Sequence, residues 1–253
     1  MTPPVVVIPV EGLPETREGD DLGAAVAAAG RAQGEPLLNG DILVVTQKIV
    51  SKAEGRVVDL RTVAPSRETQ EWADVWEKDA RVVEVALRES VRVVRMDYGV
   101  LITETPHGFV CANSGVDASN VGREGGDYVV LLPVDPDASA ARIRQTVRDL
   151  AGVDVAVVIS DTFGRPWREG AVNVAIGAAG IDPLRDYRGQ PDNDGREMHS
   201  TVIAVADELA AAAELVMHKL ARAPVAIVRG YPYQPGESGI RPVIRDQTKD
   251  LFR

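Results

Sequence analysis

Short runs of β-branched and aliphatic residues recur along this chain, separated by polar, Ala-rich or Gly- and Pro-containing segments. Runs of this kind predict buried β-strands. The main predicted strands are Val5–Val10, Ile42–Thr46, Tyr128–Leu132, Val153–Ser160 and Val225–Val228, with shorter ones at Val91–Arg95, Val100–Thr103 and Gly108–Ala112. In Val174–Leu184, which is small, apolar and Gly-rich, neither the strand nor the helical period prevails.

Helical spacing of apolar residues predicts the other elements. Asp20 and Asp21 offer an N-cap to an Ala-rich helix, and Asp135-Pro136-Asp137 offers one to a later helix. Pro224 stops the last helix before the final strand. The predicted helices are Leu22–Ala32, one or two surface helices within Glu68–Glu89, Ser139–Leu150 and Val202–Leu220.

The alternation of helices and strands indicates an α/β protein, but the central cluster of short strands breaks a pure βαβ rhythm. With 253 residues, of which 45% are hydrophobic, the chain is long enough for one large domain with a real core. We therefore expect a single domain over residues 1–253, built on a mixed sheet, with an inserted subdomain at about residues 52–128.

Net charge, the lengths of the apolar runs and the cysteine content argue against several classes of protein. The formal net charge of −10 argues against a non-specific binder of nucleic acids or anionic membranes. No apolar run approaches the ~20 residues of a membrane span, and the N-terminus lacks the basic region of a signal peptide. A single cysteine, Cys111, permits no intrachain disulfide, and its apolar neighbours favour a small buried hydrophobe. We expect a cytoplasmic protein.

Familiar nucleotide and metal motifs are absent from the sequence. There is no P-loop and no Gly-x-Gly-x-x-Gly after a strand. His107, His199 and His218 are far apart, so nothing suggests zinc, and any metal should be a hard cation such as Mg²⁺ or Mn²⁺. His218 follows Glu214 by one helical turn, which predicts a surface pair.

The richest chemistry follows the strand Val153–Ser160. The strand is predicted to end in Ser160, Asp161 and Thr162, after which the chain turns through Gly164 and Pro166. The same turn carries Arg165, Trp167 and Arg168. A carboxylate and a hydroxyl at the carboxyl end of a buried strand face the crevice in which α/β proteins bind ligands. The alternative is a polar strand end that merely caps the next element.

Three further polar segments could converge on that position. The turn Gly12–Glu15 could bring its backbone to a base or a phosphate, although a plain turn is the alternative. Gln47–Lys52, interpreted as a loop, brings two lysines directly after a buried strand, where they can bind phosphates. Ser114–Asn120 is a polar loop whose Asp117 is suited to share a cation with Asp161. Carboxylates together with lysines and arginines are the residues that phosphoryl transfer requires, because catalysis there depends on positioning and on neutralising charge.

These segments together resemble the coenzyme F420-0:γ-glutamyl ligases. The resemblance is carried in order by Gly12–Glu15, Val44–Gly55, Ser114–Asn120, Ser160–Arg168 and the closing Asp250–Arg253. It implies a mixed α/β fold of two intertwined subdomains. It also implies an enzyme that joins the amine of L-glutamate to a carboxylate of the deazaflavin coenzyme's tail, using GTP and Mg²⁺ or Mn²⁺, with two ions per site. The family works as a homodimer, and K⁺ is left open as a further cofactor.

The resemblance also implies roles for individual residues. Asp117 and Asp161 match the ligands of one metal, and Thr162 the ligand of a second, so these three and Lys52 are the expected catalytic residues. Gln47 stands where relatives commonly carry a serine. The residues that match nucleotide contacts are Gly12, Leu13, Pro14, Glu15, Gln47, Lys52 and Asn120.

The chemistry implied is amide formation through an acyl phosphate made from the γ-phosphate of GTP. This route needs no nucleophilic side chain, and none is visible in the sequence. Two alternatives remain open. One is a ligase or kinase of the same fold that acts on a different carboxylate or phosphorylated substrate; the other is a non-catalytic nucleotide-binding or dimer-scaffold protein. The residues alone assign no role to Arg165, Arg168 or His199.

Overall fold

The computed structural model of this chain describes residues 4–118, 127–218 and 222–250. Its strands are β1 (Val6–Pro9), β2 (Ile42–Thr46), β3 (Val57–Asp59), β4 (Arg92–Asp97), β5 (Val100–Glu104), β6 (Val110–Ala112), β7 (Tyr128–Val130), β8 (Ala156–Arg165), β9 (Arg168–Ala179), β10 (Arg185–Asp186), β11 (Val202–Ile203) and β12 (Val225–Arg229). Its α-helices are α1 (Leu22–Ala32), α2 (Gln47–Ala53), α3 (Arg67–Val75), α4 (Ala80–Arg88), α5 (Pro136–Ala151) and α6 (Val205–Met217).

The main sheet has five strands in the order β1-β12-β2-β8-β9. Only β2 and β8 pair in parallel, and their neighbours are antiparallel. The mixed α/β sheet predicted from the sequence is therefore confirmed. Because β2 and β8 run in the same direction, both reach the same edge of the sheet at their carboxyl ends.

The main core lies around β2 and β8. Ile42, Leu43, Val157 and Ile159 are fully buried, as expected for strands covered on both faces. Helix α5 packs against β8 and β9 and contacts α1, while α6 packs across β1, β9 and β12. No helix in the described part of the chain is long and apolar enough to cross a bilayer.

A second hydrophobic cluster lies between residues 58 and 131. It is built around Leu60, Val85, Leu101 and Val129, and it includes residues from α4, β5 and β7. Two small antiparallel sheets frame it, one formed by β3 and β7 and the other by β4, β5 and β6. The segment that carries Asp117 belongs to this region and extends from it toward the main sheet.

Several predicted elements match the structure and others do not. Helix α1 has the predicted bounds, and the Asp21 side chain accepts a hydrogen bond from Ala24 N at 3.0 Å. The prediction of a loop over Gln47–Lys52 is wrong, because α2 begins directly after β2. The undecided segment after Val174 is mostly the inner half of β9, and the predicted helix from Val202 is divided into β11 and α6.

The prediction that a strand ends at Ser160 is also wrong. Pairing between β2 and β8 stops at Thr46 and Ser160, but β8 continues to Arg165 because β9 still supplies hydrogen bonds to it. Beyond Ser160 the two strands form a hairpin arm with a turn at Pro166-Trp167. Asp161 and Thr162 therefore lie in a strand, at the point where it leaves the sheet.

Candidate active site

A cavity of about 780 Å³ opens at the edge of the sheet where β2 and β8 stop pairing. Its walls come from β8, β9, α2, α6, the turn before α1 and the segment before β12. The lining residues are Leu13, Pro14, Glu15, Thr16, Thr46, Gln47, Lys48, Ile49, Lys52, Asp117, Ser160, Asp161, Thr162, Asn173, Glu214, Met217, His218, Arg222, Ala223 and Pro224. The cavity is thus walled by segments that are far apart in sequence.

Strand β8 contributes three consecutive polar residues. Ser160 is 1% exposed, and its Oγ has no hydrogen-bond partner among the residues that the structure describes. The Asp161 carboxylate accepts a hydrogen bond from Thr162 N at 2.8 Å. Thr162 Oγ1 donates to Asn173 Oδ1 at 2.7 Å, and Asn173 lies directly opposite on β9. A buried hydroxyl without a partner costs about 1–3 kcal/mol, so Ser160 marks this wall as built to receive a ligand.

Helix α2 contributes the positive charge. Lys48 and Lys52 are one helical turn apart, so both reach the cavity from the same face. Lys48 Nζ lies 2.8 Å from Asp117 Oδ2, and Lys52 Nζ lies 2.6 Å from Glu15 Oε1. Gln47 is 2% exposed, and its Oε1 accepts a hydrogen bond from the Ser51 hydroxyl at 2.9 Å.

The segment before Asp117 is held in one conformation. Ser114 has a φ of 54°, and its buried hydroxyl hydrogen-bonds both to Ala86 O at 2.6 Å and to the Thr103 hydroxyl at 2.8 Å. Gly115 has a φ of 71°, and a Cβ there would lie 2.8 Å from the Leu132 side chain, so this position requires glycine. Asp117 and Val130 then exchange backbone hydrogen bonds at 2.9 and 3.0 Å. The Asp117 carboxylate is consequently presented from a fixed backbone.

The structure brings most of the predicted site residues together. Leu13, Pro14, Glu15, Gln47, Lys52, Asp117, Asp161 and Thr162 all line the cavity. Gly12 immediately precedes this group, with a φ of 75° that favours glycine. Asn120 lies outside the described residues.

The basic residues to which the sequence assigns no role lie elsewhere. Arg165 donates to the carbonyls of Glu169 and Gly170, so its guanidinium fastens the hairpin arm rather than lining the cavity. Arg168 is on the same arm, and the His199 side chain is 80% exposed, 3.7 Å from Glu197. None of these three residues is part of the cavity wall.

Sequence reasoning missed several lining residues, notably Thr46, Asn173, Glu214 and Arg222. Asn173 reaches the site only because β9 pairs with β8, a register that no local pattern reveals. The predicted surface pair of Glu214 with His218 is wrong, because Glu214 Oε2 instead accepts a hydrogen bond from Asn173 Nδ2 at 2.9 Å. The strand pairing, not the helical spacing, decides the partner of Glu214.

The sequence was also compared with known proteins. The family model described as F420-0:Gamma-glutamyl ligase matches residues 12–230. This chain belongs to that family. Among its relatives, proteins named coenzyme F420:L-glutamate ligase are 44% identical in Methanothermobacter thermautotrophicus, covering 98% of this chain and 99% of the relative, and 43% identical in Methanopyrus kandleri, covering 99% and 98%. The Archaeoglobus fulgidus protein of the same name is 40% identical, covering 98% and 96%.

As a member of the F420-0:gamma-glutamyl ligase family, the chain is an enzyme of the ligase class. Its one thiol is not equipped for covalent catalysis. Cys111 is 6% exposed, as expected from its apolar neighbours, and burial together with the nearby Asp161 charge raises the pKa of the thiol to about 12. A thiol with such a pKa stays protonated and is a poor nucleophile at neutral pH.

The side chains of the cavity could supply part, but not all, of the ligands of a divalent cation. Asp117, Asp161 and Thr162 offer hard oxygen ligands, but no group of three His, Cys, Asp or Glu side chains in the described segments could hold a metal ion. Mg²⁺ is typically bound by one or two carboxylates and completed by water and substrate phosphates. The Lys48 ammonium lies 2.8 Å from Asp117, so the Asp117 carboxylate is in a position to interact with a positive charge.

Proposed function

We propose that this enzyme adds L-glutamate through γ-linkages to coenzyme F420-0, with GTP converted to GDP and phosphate. The single observation that carries the proposal is the cavity whose lining residues include two lysines, Lys48 and Lys52, together with Asp117, Asp161 and the Thr162 hydroxyl. The names of the relatives supply the substrate pair, coenzyme F420 and L-glutamate. Phosphate-binding cations beside oxygen ligands for a divalent cation are what a nucleotide-driven ligase needs.

The reaction requires activation because a carboxylate does not react with an amine at neutral pH. An acceptor carboxylate oxygen attacks the γ-phosphorus, and GDP leaves. The neutral amine of glutamate then attacks the acyl carbon, phosphate leaves with the bonding electrons, and the amine's surplus proton passes to solvent. Neither step needs a nucleophilic side chain, in agreement with the protonated Cys111.

Side chains of the cavity supply position and charge for these steps. In this proposal Lys52 and Lys48 would bind phosphate oxygens, and Lys52 would exchange its partner Glu15 for the nucleotide. Asp117, Asp161 and Thr162 would hold the divalent cation. When bound, such a cation neutralises charge that develops on the phosphoryl oxygens. Leu13 and Pro14, which lie beside Glu15 on the cavity wall, would contact the nucleotide.

The proposal includes a homodimer and two divalent ions per site, with K⁺ left open as an additional cofactor. Light scattering at several protein concentrations tests the dimer, and Mn²⁺ titration in the presence of nucleotide tests the stoichiometry. A monomer or a single ion would correct these parts of the proposal and leave the ligase reaction intact.

The direct test is to incubate the purified protein with GTP, Mn²⁺, L-glutamate and coenzyme F420-0. We expect phosphate release, and mass spectrometry should show F420 enlarged by whole glutamyl units. ATP in place of GTP tests the choice of nucleotide, and D-glutamate in place of L-glutamate is a matched control for recognition of the amine donor. Folded protein that releases phosphate without enlarging F420 would favour a ligase or kinase for another substrate, and no turnover of any kind would contradict the proposal.

A further inference from the structure

A row of three polar side chains from three elements lies along one wall of the cavity. Thr162 Oγ1 on β8 is 2.7 Å from Asn173 Oδ1 on β9, and Asn173 Nδ2 is 2.9 Å from Glu214 Oε2 on α6. All three residues line the cavity, and Asn173 is only 3% exposed. The row therefore connects a proposed cation ligand to a carboxylate through a buried amide.

The chemistry of the groups fixes the direction of every hydrogen bond in this row. An ionised carboxylate only accepts, so the amide nitrogen of Asn173 must face Glu214. The amide oxygen then faces Thr162, and because that oxygen can only accept, the Thr162 hydroxyl must donate its proton to it. Since the single hydroxyl proton is committed to Asn173, Thr162 Oγ1 can act toward the cavity only as an acceptor.

We propose that Asn173 and Glu214 are positioning residues that fix the Thr162 hydroxyl as a ligand for a divalent cation. The inference rests on the proposed function, since it assumes that a cation binds beside Thr162. Without the row, the hydroxyl could rotate and direct its proton at the cation, which would repel it. Partners that orient the ligands of a metal typically change its affinity by about 10–100-fold when they are removed.

A nearly isosteric substitution can reverse the direction of hydrogen-bond donation along the row without creating a cavity. In Glu214→Gln the direction of donation is no longer fixed, because the new amide can present its nitrogen as well as its oxygen to Asn173. When the nitrogen donates to Asn173 Oδ1, the Asn173 amide turns over and presents its own nitrogen to Thr162. We expect the Kd for Mn²⁺, measured by the electron paramagnetic resonance signal of free Mn²⁺ with a non-hydrolysable GTP analogue, to rise by about tenfold or more. Glu71→Gln, which removes a charge from an exposed ion pair on α3, is the matched control and should leave the Kd unchanged.

A double variant separates direction from charge. Asn173→Asp alone keeps an acceptor facing Thr162 but places two carboxylates side by side, which should destabilise the fold. In Asn173→Asp combined with Glu214→Gln, the new amide donates to the new carboxylate, which again accepts from Thr162, and the total charge is unchanged. We expect this double variant to bind Mn²⁺ within about threefold of the wild type, because the direction of donation is restored. A double variant no better than Glu214→Gln would overturn the inference.

A cycle through Thr162 tests whether the row acts by way of that hydroxyl. In a Thr162→Val background, Glu214→Gln should have no further effect on the Kd, since no hydroxyl remains to be oriented. Equal weakening in both backgrounds would mean that Glu214 acts only through its charge, and the inference would be wrong. Unaltered Mn²⁺ binding by Glu214→Gln in the wild-type background would overturn it as well. Failure of the wild type to bind Mn²⁺ with nucleotide would instead remove the proposed function on which the inference depends.

Discussion

The two ends of the central strands carry the same kinds of residue but use them differently. At the amino end of β2, Asp41 is 1% exposed and accepts two hydrogen bonds from Arg229, at 2.9 and 2.8 Å, and a third from Leu38 N. Arg229 also donates to Glu35 and to Pro36 O. Its hydrogen bond with Asp41 helps to raise the pKa of the guanidinium. The polar groups at this end are satisfied within the chain.

At the carboxyl ends of β2 and β8, the charged side chains line an open cavity. Ser160 Oγ is buried there with no hydrogen-bond partner among residues 4–118, 127–218 and 222–250. The Lys52 side chain, 14% exposed, pairs with a Glu15 side chain that is 78% exposed and can swing away. We conclude that the polar contacts at the amino end of β2 stabilise the sheet, whereas the polar groups at the carboxyl ends of β2 and β8 are available to bind a ligand. Polar and charged residues occur at both ends of the strands, so their presence does not distinguish the two ends. The difference is that the cavity end has a buried hydroxyl, Ser160 Oγ, whose hydrogen-bonding capacity is not used within the described residues.

Matched Asp→Asn changes at the two ends should have opposite consequences. Asp161→Asn keeps the shape but removes a charge from the cavity, so we expect turnover to fall by at least about a hundredfold. The thermal unfolding midpoint should stay near that of the wild type, because the amide oxygen of the new Asn can still accept the hydrogen bond from Thr162 N. Steady-state phosphate release and calorimetry measure the two effects. Normal turnover in this variant would show that the Asp161 carboxylate has no role in the reaction.

Asp41→Asn should do the reverse. It leaves the Arg229 guanidinium, whose side chain is 25% exposed, without its charged bidentate partner, although Glu35 and Pro36 O still accept hydrogen bonds from it. We therefore expect the free energy of unfolding to fall by about 1–3 kcal/mol. Chemical denaturation measures this loss, and activity per folded molecule should stay unchanged because Asp41 is far along the strand from the cavity. A stable variant with lowered activity would contradict the division of roles between the two ends.

Two serines offer a smaller version of the same contrast. Ser160→Ala removes a hydroxyl that lacks a partner, so the free energy of unfolding should stay the same or rise by up to about 1 kcal/mol. The Kd for nucleotide with Mn²⁺ should rise by about tenfold if the hydroxyl binds the ligand. Ser139→Ala is the control, since its hydroxyl hydrogen-bonds to Glu54 and to Asp135 O and its loss should destabilise by about 1 kcal/mol. Equal destabilisation by both changes would show that Ser160 is satisfied internally.

The smallest effect is expected at Glu15. An exposed ion pair contributes less than about 1 kcal/mol, so Glu15→Gln should barely alter stability. Because Lys52 no longer has to leave a carboxylate, the nucleotide should bind slightly tighter, by up to about threefold at low salt. Fluorescence titration with a labelled GTP analogue measures this change. Weaker binding would show that the Glu15 side chain itself contacts the nucleotide.

Elements with strong local signals were predictable from the sequence. Helix α1 combines an Asp21 cap with an apolar stripe, and β2 is a short run rich in β-branched residues, so local chemistry and final packing agree. The hairpin arm of β8 and β9 was not predictable, because its Gly164 and Pro166 look like a loop and only pairing between the strands makes it a sheet. Helix α2 has seven residues, too few for a periodic pattern to stand out.

The candidate site divides in the same way. Asp117, Asp161 and Thr162 stand in recognisable motifs, and the cavity brings all three to its wall. Asn173 and Glu214 stand in no motif, and they meet Thr162 only through the register of β9 and the packing of α6. The residues proposed to bind a ligand directly could thus be located from the sequence, whereas the residues proposed to orient them required the fold.

The proposed reaction requires Asp117 and Asp161 to bind a common divalent cation together with a nucleotide. A crystal structure of the protein with Mn²⁺ and GDP, in which the anomalous signal locates the metal, tests this requirement. We expect Mn²⁺ between the two carboxylates and in contact with a phosphate oxygen, with Lys48 Nζ moved from its present position 2.8 Å from Asp117. Mn²⁺ bound elsewhere, with GDP outside the cavity and the Lys48–Asp117 pair intact, would contradict the proposal.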